Sequence, residues 1–429
     1  MLRISAAIAI IIGFALLSSP GRTANANPEP GQTWNQWLGP NRNGQISGPA
    51  WPEKLSGNYV SKTWRMPLSP SYSSPIVSET AVFVTETKGK ATEVVRALDR
   101  KTGKEIWAVE WTGAISVPFY AKSRGDWIRS TPAYDGKNLY VAGMRDVLVS
   151  LDAKTGKENW RIDFVKEYKT PVPDFRLVSS PLIDGNVLYL QAANAVVKID
   201  KNTGKVLWRV FENGATVFES GAFSSPVIAE VAGKRQIIVQ SREKLAGLDL
   251  ITGAVLWSHG VPSFRGMNIM TPVVLGDTVF TSSYQNKSWL YQISKTPENY
   301  GVSELWSNTA QGYMSNPVVI DGYAYMHLAN QRFACIDLKT GERTWTSKPY
   351  GKYWSIVAQR DRLLALDEQG KLLLIKANPR EFQLIDELQV SEDETWAHVA
   401  VCNDEIYIRE LNAIAVYKWQ TPKPNAAGN

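Results

Sequence analysis

The chain has 429 residues, 44% of them apolar and 21% charged, the composition of a soluble, folded body. A formal charge of +6 is too mild for a nucleic-acid-binding surface, and two cysteines rule out a cysteine-rich metal site. Length alone would divide the chain into two or three domains, but sixteen tryptophans and seventeen tyrosines call for a search for repeats first.

At the start, Arg3 precedes a nearly unbroken apolar run from Ile4 to Leu17. Pro20 ends it, and Ala24-Asn25-Ala26 offers a small-residue cleavage site. The run is short for a membrane span, so residues 1–26 are expected to be a signal peptide that is removed, leaving an exported, periplasmic or extracytoplasmic soluble chain. No cysteine lies near the cleavage site, which predicts no lipid anchor there, and losing Arg3 and Arg22 lowers the charge from +6 to about +4. Residues 27–60 are rich in Pro, Gly and Asn, and Trp34, Trp37 and Trp51 are expected to pack this extended lead-in onto the body.

From there one unit repeats. It starts with a Ser/Thr-Pro step and a strand, as at Ser73-Ser74-Pro75, Ser130-Thr131-Pro132, Ser179-Ser180-Pro181 and Ser224-Ser225-Pro226. A tight turn follows, often Asp-Gly, then a second strand such as Leu139-Tyr140-Val141. The third strand ends at an Asp-x-x-Thr-Gly turn and the fourth carries a Trp, as in Asp99…Thr102-Gly103…Trp107 and Asp152…Thr155-Gly156…Trp160. The same phrase recurs at Asp200, Asp249 and Asp337. The Asp side chain can take backbone N–H groups of the turn, the Gly supplies positive φ, and the Trp offers an apolar plate to a neighbouring unit. Trp64, Trp107, Trp160, Trp208, Trp257, Trp306 and Trp345 are equivalent positions 39 to 53 residues apart, the period of a β-propeller blade. The fifth unit is degenerate, with Thr296-Pro297-Glu298-Asn299 in place of the turn. The last unit, around Ile406-Tyr407-Ile408, lacks a fourth strand, and the segment around Trp64 is a fourth strand without a blade. Joining them predicts an all-β fold: an eight-bladed propeller of four-stranded antiparallel blades over residues 61–419, closed by an N-terminal strand and followed by a flexible tail at 420–429. Cys335 and Cys402 fall in different repeats and are expected to be buried single thiols.

These units resemble the pyrroloquinoline-quinone (PQQ)-type propeller repeat, over nearly all of the mature chain. That repeat is shared by quinoprotein dehydrogenases and by scaffolds such as the outer-membrane β-barrel assembly lipoprotein BamB, which the chain resembles more in length and simplicity. In the dehydrogenases the resemblance implies a quinone between a Trp and, in many members, a vicinal disulfide, with Ca²⁺ on a Glu, an Asn and an Asp. Here no two cysteines are adjacent, and Glu219, Asn268 and Asn316 are scattered over three blades at different offsets. No catalytic residue and no metal site are assigned, and PQQ with Ca²⁺ is left without supporting ligands.

Two sets of residues remain as binding candidates. The loops after Trp107, Trp160, Trp208 and Trp257 are the longest and carry Trp111, Tyr120, Arg124, Trp127, Phe175, Arg176 and Arg265. Aromatics with Arg suit the centre of a protein interface, and they also suit loops packed onto the disc. The position three before the Pro reads Tyr72, Arg129, Val178, Phe223, Ile269, Met314, Trp354 and Trp396 around the ring and is expected to face the channel. Tyr72, Trp354 and Trp396 are expected to form an aromatic wall beside Arg129, with His398 nearby as a hydrogen-bonded structural residue before a general base. Such a wall suits a planar anionic ligand or a sugar, and equally a plugged, water-poor channel. The expectation is a monomeric, non-catalytic binding or scaffold protein of the cell envelope with a protein partner, with a PQQ-dependent dehydrogenase or a PQQ- or sugar-binding sensor as the alternative.

Overall fold

Short β-branched and aromatic runs, each closed by a turn that needs a left-handed residue, leave the chain little but antiparallel meanders to form. In the computed structural model, residues 33–420 are described apart from 120, 121, 123, 124, 213 and 215–219. Among them the meanders make eight four-stranded antiparallel sheets. Blades 1 to 7 span residues 76–112, 133–163, 182–210, 227–260, 273–308, 318–349 and 354–389. Blade 8 takes its three inner strands from 400–419 and its outer strand from Val60–Pro67, which pairs with Ala413–Trp419 from Val60↔Trp419 to Pro67↔Ala413. The predicted eight-bladed propeller and its closure are therefore present. The degenerate fifth unit is a full blade, its outer hairpin closed by Thr296 and Asn299. Two short elements depart from the all-strand reading: a helical turn, Phe164–Tyr168, capped by the Asp163 carboxylate in the loop between blades 2 and 3, and a 3-10 turn, Phe264–Gly266, between blades 4 and 5.

Blades are fastened to each other at their outer edges by the Trp motif. The indole N–H of Trp64 donates to the Arg100 carbonyl of blade 1, Trp107 to Ala153 of blade 2 and Trp160 to Lys201 of blade 3, each at 3.0 Å. Trp208, Trp306 and Trp345 dock the same way on Ile251, Leu338 and Asn378. The rings of Trp64, Trp107, Trp160, Trp208 and Trp306 lie on the glycine of the next turn: a Cβ at Gly103 would stand 2.5 Å from Trp64, and one at Gly156 2.8 Å from Trp107. That glycine is needed for its φ of +70° or more and again for the close approach. Trp257 faces the blade that lacks the turn, and its N–H goes instead to Gln236 of its own blade at 2.7 Å.

A second fastening runs around the channel wall, through the hydroxyl residues of the Ser/Thr-Pro steps. The N–H of Ser74 donates to Thr131 Oγ1, that of Thr131 to Ser180 Oγ, that of Ser180 to Ser225 Oγ, that of Ser225 to Thr271 Oγ1 and that of Thr271 to Asn316 Oδ1. Beyond blade 6 the donors reverse: Trp354 N–H reaches back to Ser315, Val399 N–H to Ser355, and the Ser74 hydroxyl closes the circle on the His398 carbonyl. Each of the eight neighbouring pairs of blades is thus linked, at about 1 kcal/mol net per bond.

The lead-in straps the opposite face. Trp34 bridges Val77 of blade 1, the Asn35 carbonyl accepts from Tyr134 of blade 2, and Arg42 donates to Pro181 and Ser180 of blade 3. Gln45 and Ile46 then bond to blades 6 and 7 at Val319 and Ala358. Trp51 stacks on Trp419 at 5.2 Å before the chain enters blade 8. Burial pushes the Arg42 guanidinium down to about 9.

Candidate functional site

The eight positions three residues before the Pro step, set inward by the start of each innermost strand, all line one cavity on the channel axis. It has a volume of about 190 Å³. Trp37 of the strap enters it from below, held through its indole N–H to Thr271 Oγ1 at 3.3 Å, so the strap forms its floor. The mouth lies on the face that carries the interblade loops, since Phe175 and Met267 of those loops share the wall.

Of the predicted wall, Tyr72 and Trp396 are stacked, with ring centroids 4.9 Å apart and planes 17° from parallel. The Arg129 guanidinium lies 5.9 Å over the Tyr72 ring and donates to the carbonyls of Trp127 and Gly125. Burial is the main push that raises the Tyr72 phenol to about 12. Trp354 shares the cavity but not the stack: it is buried between His327 and Phe333, each 5.0 Å away by centroids. The ring next to Trp396 is Tyr353, 4.1 Å away and tilted by 55°, followed by the Tyr313–Tyr284 stack. Sequence register singled out Trp354 and passed over its neighbour; the signal available was the paired Tyr-Trp itself, since adjacent residues of a chain entering a strand face opposite ways.

His398 lies below the wall, buried, 6.4 Å from the Trp34 ring and 5.2 Å from that of Trp37. Its Nδ1 is 2.9 Å from the Val399 carbonyl, and the Ile356 backbone also bonds to the ring. Burial holds the imidazole down to about 4, hence neutral near pH 7. A hydrogen-bonded, neutral ring fits the structural role expected of it.

The long-loop candidates divide. Trp111 is half-buried, its N–H bound at 2.9 Å to the buried Glu93 carboxylate and its ring under the Arg161 guanidinium. Glu93 is pushed up by burial, against the pull of the Met144 and Trp111 N–H groups. Phe175 packs its edge on Phe223 in the cavity wall, and Trp127 is half-buried beside it in the ring order. Arg265 is exposed, with positive φ and its guanidinium 5.0 Å over Phe264. Arg176 is not at the surface as the rim reading expects: it is buried and donates to the Pro173 and Ser116 carbonyls, tying two loops together. Tyr120 and Arg124 lie outside the described residues, as do the signal segment, Glu219 and the tail after Gln420.

The quinone and Ca²⁺ implied by the repeat do not fit these residues. Among the described residues no Asp or Glu lines the cavity, and Ca²⁺ requires anionic oxygen ligands. Asn316 Oδ1 is engaged by Thr271, and the Asn268 amide donates to Arg242 and Val261. Cys335 and Cys402 are free, buried and in different blades. Among the described residues no group of three His, Cys, Asp or Glu side chains stands together for a metal, and no helix is long and apolar enough to cross a membrane.

A family model described as outer membrane protein assembly factor BamB matches residues 90–347. The outer membrane protein assembly factor BamB of Moranella endobia is 21% identical over 309 residues, covering 70% of this chain and 73% of that protein. The Yersinia pestis protein of the same name is 23% identical over 263 residues, covering 58% of this chain and 63% of its own length. The crystal structure of BamB from Moraxella catarrhalis superimposes with a TM-score of 0.61 over 85% of this chain and 99% of that one, at 13% identity, a likeness of fold. With the matched span running from blade 1 to the outer strand of blade 6, more than half its length, this chain belongs to the BamB family of PQQ-type propellers.

Proposed function

We propose that this protein is an exported, non-catalytic scaffold in outer-membrane protein assembly, which presents the loop-bearing face of the disc to a protein partner. The observation that carries the reading is the channel mouth itself, apolar and aromatic with an arginine at its lip and, among the described residues, no carboxylate in its wall. A ring linked at every blade boundary holds that face rigid, and docking on a preformed face needs no reacting group. Family membership supports this pathway, because the matching model and relatives carry the name of an assembly factor. Partner-facing residues in this reading are Trp127, Phe175 and Arg265, with Tyr120 and Arg124 retained from the sequence. Signal cleavage near Ala26, a soluble monomeric mature form and the lack of a lipid anchor belong to the same proposal.

The test is native pull-down of the tagged full-length protein from its own envelope, with a photo-crosslinker placed at Arg265. Crosslinked outer-membrane assembly components are expected. Recovery of none, or saturable binding of PQQ with Ca²⁺ followed by alcohol oxidation, would replace the scaffold reading with a quinoprotein one. Intact-mass measurement of the mature chain decides processing and lipidation together.

A further inference from the structure

We propose that the outer edge of blade 4 is a strand-addition site, where an extended, uncharged segment of the partner polypeptide pairs antiparallel with Val255–Gly260 as a fifth strand. The inference rests on the scaffold reading for its partner and adds a foothold beside the docking face.

The repeat supplies its own controls. The outer strand of every blade is the end of its sheet, with main-chain groups facing away from the ring. Charged side chains guard such edges, and the other outer strands carry them, from Lys62 and Arg65 in blade 8 to Asp386 and Glu387 in blade 7. Among the described residues, Val255–Gly260 is the outer strand with no Asp, Glu, Lys or Arg. The loss follows the motif. Aligned on the turn Asp, blade 2 has Lys154, Lys157, Glu158, Arg161 and Asp163 where blade 4 has Ile251, Ala254, Val255, Ser258 and Gly260. Blades 1 and 6 keep a charge at four of the five positions and blade 3 at two, so the bare edge belongs to blade 4 and not to the repeat.

All five of these blade 4 residues are exposed, Ile251 by 79% and Val255 by 48%. The bulky side chains of the strand turn inward instead: Trp257 is buried, and His259 packs 4.6 Å from the Tyr291 ring of blade 5. The edge is left with small side chains, which let a second backbone approach to the ~4.8 Å of a paired strand. Its entry turn is fixed beforehand, since Lys198 and Tyr189 both donate to the Leu250 carbonyl and Trp208 donates to that of Ile251. The Val261 N–H goes to the Glu243 carbonyl on the inner side, and by antiparallel alternation Ser258 and Gly260 turn their N–H and C=O groups outward. A strand is the occupant that meets such groups, and Ile251 and Val255 select an apolar one. A second copy suits the edge less well, because six residues span only ~20 Å of a convex rim, too little for the ~800 Å² per partner of a stable pair. A strand tethered to a partner already on the loop-bearing face needs less area of its own. The edge runs into that face, with Phe264 and Arg265 just beyond Gly260.

The experiment adds a capped hexapeptide of alternating Thr and Val to the mature full-length protein and follows amide hydrogen exchange. Exchange in residues 255–260 is expected to slow about tenfold at saturation, with the other outer strands unchanged. N-methylation of the Val or of the Thr residues in turn should weaken binding unequally, about tenfold or more apart, because a strand pairs through one edge at a time. Val255→Glu with Ser258→Arg, which installs the blade 2 residues at exposed positions, should lose the peptide; Ser258→Arg alone serves if the pair melts below wild type. No slowing at millimolar peptide, slowing elsewhere instead, equal loss from both methylated sets, or unchanged binding to a folded charged variant overturns the edge site. A wild-type dimer that the charged variant abolishes and the peptide cannot displace overturns it in favour of a second copy. The Arg265 crosslink separates this from the scaffold reading. Equal capture of the partner by wild type and the folded charged variant sinks the edge and spares the scaffold; no capture by wild type sinks the scaffold whatever the peptide does.

Discussion

Single glycines decide how closely the blades approach. Gly103 and Gly136 both have positive φ, but a Cβ at Gly103 would meet the Trp64 ring at 2.5 Å while one at Gly136 meets nothing within 4 Å. Backbone strain of about 1–3 kcal/mol is common to both alanine variants, so Gly103→Ala should exceed Gly136→Ala by the cost of displacing the plate, about 1–3 kcal/mol more in urea unfolding. Equal losses would mean that the Trp contact contributes nothing. A different single residue sets a pH dependence. Asp146 is fully buried in the turn between the second and third strands of blade 2, with one oxygen on the Ala193 N–H and the other unmet. Burial, aided by Asp163 and opposed by the Ala193 N–H and Arg209, raises its carboxyl from 3.8 to about 7. Between those values the folded chain keeps a proton that the unfolded chain has released. This contribution is therefore full below about pH 4, declines as pH rises to 7 and is flat above. The span is a few kcal/mol at most, at about 1.4 kcal/mol per tenfold change in proton affinity. Asp146→Asn should abolish that decline, visible as the difference between wild-type and variant stability curves from pH 4 to 8; parallel curves would refute it. The Asp-x-x-Thr-Gly turns were legible because their chemistry is local, whereas nothing near Asp146 in the chain announces its burial.

Blades 5 and 7 show what an element does when it loses part of the motif. In blade 7 the register puts Asp386 opposite Leu374, where blade 2 puts Trp160 opposite Ser150. Its carboxylate accepts from the Leu55 and Ser56 N–H groups and from the Ser56 hydroxyl, all within 2.9 Å, so the missing plate becomes an anchor for the strap. Asp386→Ala should cost about 1–3 kcal/mol and hasten limited proteolysis between residues 46 and 59 before any other site. Unchanged cleavage would detach the strap from that anchor. The sequence showed that blade 7 lacks a Trp, but a lone Asp on an outer strand looks like an ordinary solvated side chain until the lead-in is placed against it. The channel ring was hidden for a related reason. Ser74, Thr131, Ser180 and Ser225 could be read as strand starts, and the hydroxyl that matters bonds to the next blade, about fifty residues away.

At the level of the molecule, two independent closures coexist: a hydrogen-bonded inner circle and an outer strand shared by the chain's two ends. The strap adds a third constraint across the underside, burying Trp34, Leu38, Trp51 and Leu55. Each such side chain contributes about 1.5–3 kcal/mol, so removing residues 27–58 while keeping Val60–Pro67 should leave an eight-bladed ring whose melting temperature falls by about 10 °C. The same deletion removes Trp37, the floor of the axial cavity. A melting temperature within 2 °C of wild type would show the strap to be a passenger. Ring size was legible from the period and from one missing strand matched by one spare. The strap's path was not, because a Pro- and Gly-rich segment carries no periodicity to orient it.

The shared outer strand also has a temporal side. Ser61 and Gln420, bonded at the seam, are 359 residues apart, so a chain synthesised from its N-terminus makes the first half of the seam early and the second half last. Until Ala413–Trp419 arrives, Val60–Pro67 is an unpaired edge and the disc a horseshoe. Latching waits for the final strand, which turns the seam into an inspection of length: a product ended before Ala413 leaves Val60–Pro67 without its partner.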